Sequence, residues 1–312
     1  MTDRMQPFGA RASECAGGRP LRVGVIGREG AWSSETLARA FEKRTGFGRV
    51  FQLEDAVADL AQGRVVAGDV DLCALDGLVV KKIGANYGPE LLDRLDLLRL
   101  VESRGVRVFS PPERIQRMVD RVSCTVTLAA NGFPIPPTVL TEDLAKAQAA
   151  IVEFRQAVVK PLYSTKARGF RLLTFSDDLK TELEEHRAQT RHPLFYVQKK
   201  LDLAGRDFGV VFLDGRYVGT YARVAGADAW NTTIHAGGHY ERYTPTDDVI
   251  ELCRRAAVHF GLTLTCVDVA LTGVGPVLFE VSAFGGFRGL RDGLGIDGAG
   301  LLADHVLERL SA

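Results

Sequence analysis

The stretch LTCVDVALTGVGPVLFEVS, Leu264 to Ser282, decides the reading of this chain. Two strand-forming runs, Leu264 to Leu271 and Val277 to Ser282, flank Thr272-Gly273-Val274-Gly275-Pro276, whose glycines and proline favour a reversal. The runs are expected to pair antiparallel. If the loop is symmetric about Val274, Asp268 stands opposite Glu280, and the two-residue period of a strand puts Ser282 on the same side as Glu280. Opposed carboxylates repel unless a cation lies between them, and oxygen ligands on rigid strands suit Mg²⁺ bridging substrate phosphates. A register slipped by one residue would send one carboxylate to solvent instead; pattern alone leaves both readings open.

Upstream lies a basic loop. Ala157 to Lys160 reads as an apolar strand closed by a lysine, and Gly169 to Phe175 as its neighbour across the loop Pro161 to Arg168. Lys166 and Arg168, with Ser164 and Thr165, could fold over a triphosphate through charge-assisted hydrogen bonds. A solvated basic turn is the plainer alternative for the loop taken alone. Asp214-Gly215 marks a tight turn between Val210 to Leu213 and Tyr217 to Arg223. The stripe Val249, Cys253, Ala256, Ala257 and Phe260 is a helix core ended by Gly261.

The amino-terminal half has a different rhythm. Leu21 to Ile26 is a short apolar strand, followed by glycines and by Leu37, Ala40 and Phe41 at helical spacing. Gly24, Gly27 and Gly30 do not form G-x-G-x-x-G, and no Walker A sequence occurs, so tight packing of a βα turn accounts better for these glycines. Val106 to Phe109 is another strand. Pro111-Pro112 stops it and prepares a helix through Leu128 to Asn131-Gly132. Pro134, Pro136 and Pro137 form an extended linker, after which Thr141 is expected to cap a helix carrying Leu144, Ile151 and Phe154. The fold class expected is α/β and α+β, divided into a flexible leader (1–20), an α/β lobe (21–109), a central lobe with the basic loop (110–200) and a carboxyl-terminal lobe with the hairpin (201–312).

Composition sets the outer limits. The 312 residues are 46% hydrophobic and 25% charged, with 39 Lys plus Arg against 39 Asp plus Glu. A balanced chain has no global field for nucleic acid or an anionic membrane. No apolar run is long enough to cross a bilayer, and residues 1–20 lack the apolar core of a secretory signal, which points to the cytoplasm. Five cysteines without CxxC spacing read as reduced thiols, neither a disulfide framework nor a zinc knuckle. His235 and His239 are separated by Gly237-Gly238, which makes a helical metal face unlikely to form. His186, His192, His259 and His305 read as structural or exposed, and Trp230 as a buried aromatic near a loop.

In order and spacing these pieces resemble the ATP-grasp superfamily, most of all its RimK-like amino-acid ligases and, more closely, the ATP-grasp protein of GAK gene systems. The similarity runs from about Asp76 to Leu310. Its specific segments are Val119-Asp120-Arg121, Asn131-Gly132-Phe133-Pro134-Ile135-Pro136, Val158-Val159-Lys160-Pro161, Tyr196-Val197-Gln198-Lys199-Lys200-Leu201, and Val267-Asp268-Val269 with Phe279-Glu280-Val281-Ser282. The resemblance implies an ATP-grasp fold with two lobes clasping ATP behind an amino-terminal α/β lobe. It implies that Arg121 and Lys160 hold ATP phosphates beneath Lys166 and Arg168, that Gln198, Lys199, Lys200 and Leu201 form the hinge against adenine, and that Asp207 lies near the ribose. Asp268, Glu280 and Ser282 take the Mg²⁺ positions, with room for two ions and Mn²⁺ able to substitute. Arg223, Asn231 and Arg288 fall where relatives position the transferred phosphate and the acceptor.

The implied activity is ATP-dependent ligation of a small-molecule or peptide carboxylate to an amine through an acyl phosphate. No nucleic acid or membrane partner is expected, and homo-oligomer formation is left open. Four departures from the family pattern stand out: Arg121 where relatives carry Lys, Gly209 where many carry Arg, a covering loop with far fewer glycines, and Ser282 where Asn supplies the third metal ligand. Ser282 and the altered loop motivate one rival reading, an ATP-binding regulatory protein with little turnover; a second rival is a phosphotransferase to a non-carboxylate acceptor.

Overall fold

The computed structural model describes residues 19–312 apart from Lys166, Asp228, His235 and Ala236. The expectations for residues 1–18, for Lys166 and for His235 therefore lie outside the described residues. The chain opens with β1 (Val23–Ile26), α1 (Trp32–Thr45) and β2 (Arg49–Phe51). A small antiparallel sheet follows, made of β3 (Ala56–Asp59), β4 (Arg64–Ala67) and β5 (Val70–Asp71), and then β6 (Gly77–Val80), α2 (Glu90–Ser103) and β7 (Arg107–Phe109). Strands β1, β2, β6 and β7 form a parallel sheet in the order β2-β1-β6-β7. Every residue of β1 is buried, as a parallel strand covered on both faces requires. The glycine at 27 has a packing reason: a Cβ there would stand 2.4 Å from Ser34 Oγ in α1.

Two short helices come next, α3 (Pro112–Gln116) and α4 (Arg121–Ala130), where the sequence suggested one continuous helix. Asp120 causes the break. It takes an extended backbone and its carboxylate accepts from Ser123 N–H at 2.7 Å, which starts a new helix at Arg121. After the proline linker come β8 (Thr138–Thr141), α5 (Leu144–Phe154), β9 (Gln156–Val159), β10 (Arg171–Thr174), α6 (Leu179–Thr190) and β11 (Phe195–Lys199). Asp143 rather than Thr141 caps α5, because Thr141 is still paired to Phe195 in the sheet. The antiparallel order is β10-β9-β11-β8. Its inner face and the apolar faces of α5 and α6 form a separate core around Ile151, Leu183 and Phe195.

The last sheet is antiparallel, in the order β14-β13-β12-β15-β16, built from β12 (Arg206–Leu213), β13 (Arg216–Val224), β14 (His239–Tyr243), β15 (Leu264–Thr272) and β16 (Gly275–Ser282). Helix α7 (Asp247–Phe260) covers one face, and α8 (Phe287–Leu294) packs on β13 and β14 across the other. Strand alternation sorts the side chains. Phe208, Val210, Val267 and Val269 enter the core with α7, while Val211, Leu264 and Cys266 enter the core with α8 and α9 (Gly298–Ser311). Helix α9 runs back against α1, so both larger cores are shared between the amino- and carboxyl-terminal parts of the chain. Ile115, Val119, Cys124 and Leu128 of the α3–α4 segment also join the core beside α7. No helix among the described residues is long and apolar enough to cross a membrane.

Candidate active site

Asp268 pairs with Glu280, as the sequence suggested, but by a different route. The turn is not symmetric about Val274. Thr272 pairs with Gly275 around a two-residue loop, and that register would place Asp268 opposite Phe279. An irregularity in the register next to Asp268 inserts one extra residue in β16 and restores the Asp268–Glu280 pairing. The bulged segment faces two cations. The Phe279 ring lies 5.5 Å from Lys160 Nζ, and the Glu280 carboxylate lies 3.3 Å from an Arg121 guanidinium nitrogen.

Each carboxylate of the pair has a guanidinium at hand. Arg223, directly across from Asp207 on β12, donates to both Asp207 oxygens, through Nε at 3.1 Å, and stands 3.2 Å from Asp268 Oδ1. Burial works against the Arg223 charge, but Asp207 and Asp268 outweigh it and hold its pKa well above the ordinary value. Asp268 itself is pushed up to about 6. Burial is the main cause, Arg223 opposes it, and the charges of Asp207 and Glu280 add to it. Arg223 thus offsets only part of what burial and the neighbouring carboxylates impose on Asp268.

Arg121, the first residue of α4, also donates to the Pro161 carbonyl and to Ser164 Oγ, at 3.4 and 3.5 Å. Lys160 is 7% exposed; its ammonium donates to Gln198 Oε1 and lies 5.1 and 5.7 Å from the ring centres of Phe170 and Tyr196. Burial first, and Arg121 second, lower its pKa well below the usual ammonium range. Gln198 completes a network by donating to Thr138 Oγ1 at 3.0 Å and to the Tyr196 hydroxyl at 3.1 Å, which in turn shares a 2.8 Å bond with Thr125 of α4. Thus α4 and β11 fix both cations together.

The remaining candidates are less gathered. The Gln198 side chain points into this network, and along the 198–201 segment the Lys199 and Lys200 N–H groups are taken by the Pro137 and Gln156 carbonyls, both at 2.9 Å, while the Lys200 ammonium reaches the Leu201 carbonyl. Arg168 is bonded within its own turn to Thr165. Asn231 Oδ1 accepts from Thr233 N–H and Oγ1, a local turn, and Trp230 beside it is 39% exposed rather than buried. Arg288 is exposed on α8, 5.8 Å from the Trp32 ring. Burial raises the Tyr240 pKa, while the charges of Arg223 and Arg288 both oppose the rise.

Ser282 pairs with Cys266, and its Oγ accepts from Phe284 N–H at 3.4 Å. At Gly209, which lies between Tyr221 and Asp268, a Cβ would stand 2.4 Å from Tyr221 Cζ. The ring fills the space a side chain at 209 would need, and its hydroxyl meets Cys266 Sγ at 3.3 Å. Tyr221 and Tyr240 carry no motif of their own and sequence reasoning passed over them, whereas Tyr196 and Phe279 stood inside the family-like segments without being given a role.

The chemistry of these donors fits a magnesium nucleotide. Among the described residues no cluster of three or more His, Cys, Asp or Glu forms a ready-made metal cage. Mg²⁺ asks for less: one or two carboxylates, with substrate phosphates and water completing its shell. Asp268 and Glu280 supply that pair beside Arg121 and Lys160.

A paired-carboxylate hairpin facing the buried cations Lys160 and Arg121 is the arrangement of an ATP-grasp protein. A model of the RimK-like ATP-grasp domain matches residues 118–306, and the chain belongs to that family. A tetrahydromethanopterin:alpha-L-glutamate ligase of Methanosarcina acetivorans is 26% identical over 312 residues, covering 89% of this chain and 95% of that protein. The ATP-grasp ligase PsnB, solved with a phosphomimetic variant of its minimal precursor, Mg and ADP, superimposes with a TM-score of 0.71 at 19% identity, over 95% of this chain and 100% of that one. A RimK domain ATP-grasp protein from Sphaerobacter thermophilus gives 0.70 at 24% identity, over 91% and 98%.

Proposed function

We propose that the cleft between the central and carboxyl-terminal sheets binds Mg²⁺ and ATP, and that the protein joins a carboxylate to an amine. The observation that carries this reading is the Asp268–Glu280 pair set against Lys160 and Arg121. Mg²⁺, held by Asp268 and Glu280 when bound, supplies charge neutralisation for the phosphates. Lys160 and Arg121 hold the ATP phosphates, with Arg168 covering them. The backbone of Gln198 to Leu201 meets adenine. Asp207 holds Arg223 in place as its bidentate partner, and Arg223 stabilises the charge of the phosphoryl group in transfer. The substrate carboxylate takes that group and becomes an acyl phosphate; an amine then displaces phosphate to form the amide. Most of the protein's contribution is positioning and electrostatics.

The acceptor is assigned to the side of Arg288 and Asn231, as the family resemblance implies. Amino-acid or peptide substrates are the class proposed; the Methanosarcina acetivorans relative is named as a ligase of L-glutamate. A second, weaker ion at Ser282, replacement of Mg²⁺ by Mn²⁺, a cytoplasmic setting, the lack of a nucleic acid or membrane partner and the division at residues 21, 110 and 201 belong to the same reading. Phosphate release from ATP, screened against pairs of amino acids and peptides, tests it. Release that needs both a carboxylate and an amine supports ligation. Nucleotide binding without release under every pair would favour the regulatory reading, and a stable phosphorylated product the phosphotransferase.

A further inference from the structure

Lys81, which follows β6 in the amino-terminal lobe, is 3% exposed, and its ammonium reaches into the carboxyl-terminal lobe. It donates to the carbonyls of Phe284 and Gly285, the latter at 3.0 Å, and stands 3.9 Å from the centre of the Phe287 ring. Burying an ammonium is costly, and an apolar side chain of similar volume often packs as well without the charge. Stability alone gives no reason for a lysine here. The charge draws two successive carbonyls to one point, which fixes the turn leading from β16 into α8. Gly285 shows how tight that turn is, with φ of +48° and a Cβ position 2.8 Å from Leu264 Cδ2. Tyr87, also from the amino-terminal lobe, packs edge-on against the Phe284 ring at 6.5 Å. The other backbone group of Phe284, its N–H, donates to Ser282 Oγ.

We infer that Lys81 is a positioning residue which, through the backbone of Phe284, sets the orientation of the Ser282 hydroxyl beside Glu280. With Phe284 N–H donating to the hydroxyl oxygen, its second lone pair is left for a metal. This rests on the reading of Ser282 as an oxygen donor on the metal side. The amino-terminal lobe then takes part in nucleotide binding without touching nucleotide.

The test is a Mg²⁺ titration of ADP affinity by calorimetry for wild type, Lys81→Met, Ser282→Ala and the double variant. Outer-sphere partners of metal ligands typically change metal affinity by about tenfold or more when removed. Lys81→Met should raise the Mg²⁺ midpoint about tenfold while leaving ADP affinity without metal unchanged. Ser282→Ala should raise it similarly, and the double variant no further, because both act through one hydroxyl. If Lys81→Met fails to fold, Lys81→Gln carries the same cycle, since its amide still reaches one carbonyl but lacks the charge. A wild type whose ADP affinity ignores Mg²⁺ overturns the metal reading and this inference with it. A Mg²⁺-dependent wild type with an unmoved midpoint in the Lys81 variant, or shifts that multiply in the double, overturns the Lys81 role alone.

Discussion

The Lys160 ammonium is met by the Gln198 amide oxygen and by the faces of Phe170, Tyr196 and Phe279, none of which carries a full charge. A polyphosphate offers it far more. Hydrogen bonds to charged groups are worth about 1.5–3 kcal/mol, so Lys160→Ala should weaken ATP binding by about tenfold or more. Calorimetry decides it, and unchanged affinity in a folded variant removes Lys160 from the site. Gly209 makes a different point. A methyl group there meets the Tyr221 ring at 2.4 Å, and overpacking of this kind costs about 1–3 kcal/mol. Gly209→Ala should lower the urea midpoint, and Tyr221→Leu in the same chain should recover part of the loss; an unmoved midpoint would mean the ring yields freely. The two residues also mark what sequence can and cannot say. Lys160 was legible because a lysine closing an apolar strand is chemically conspicuous. Gly209 looked like a missing arginine, because the side chain that fills its space arrives from the neighbouring strand. Lys81 was silent for the same reason: its partners lie some 200 positions away, in another lobe.

At the level of elements, the hairpin was legible and its detail was not. Period two and turn chemistry placed Asp268 opposite Glu280, whereas the structure uses a tighter turn plus an extra residue in β16 to reach that pairing. The extra residue also turns Phe279 to the cleft, which no alternation rule anticipates. The break between α3 and α4 hung on Asp120 acting as a cap, and β8 was hidden behind prolines that suggested only a linker. Helix α6 supplies a prediction. His186 is 3% exposed in the central core, and burial, aided by Arg171, lowers its pKa to about 4. The unfolded chain binds that proton near pH 6.5, so below it the unfolded state gains protons the folded state refuses. Stability contributed by neutral His186 is complete above about 6.5 and is lost as pH falls toward 4, roughly 3 kcal/mol over the window. His186→Leu should flatten that part of the stability curve. Parallel urea midpoints for both proteins from pH 7 to 4.5 would show that other groups drive the acid loss.

Across the whole molecule the cores are unequally shared. Two of them join the amino- and carboxyl-terminal parts through α9, α7 and the α3–α4 segment, while the core around Ile151, Leu183 and Phe195 belongs to residues 138–199 alone. That central unit meets the rest through Tyr196 with Thr125, the Pro161 and Leu162 carbonyls with Arg121, Lys160 facing Phe279, and Tyr163 packed on the core beside α7. A unit of this size buries too small a fraction of its surface for high stability by itself. Without nucleotide it should melt first, as a separate calorimetric transition below that of the remainder. On the proposed reading a magnesium nucleotide meets Lys160 on one side and Asp268 with Glu280 on the other, so binding requires both units to be folded. Ligand at a hundredfold excess over Kd stabilises by about 2.7 kcal/mol, which for a unit near 60 residues raises Tm by about 10 °C or more. Mg²⁺ with a non-hydrolysable ATP analogue should therefore move the lower transition up toward the upper one and leave the upper nearly fixed. Metal-free analogue should move it less, because Asp268 and Glu280 then have nothing to grip. A single transition without nucleotide, or equal shifts of two, would show that the lobes are energetically one body and that closure over ATP is not the motion this architecture is built for.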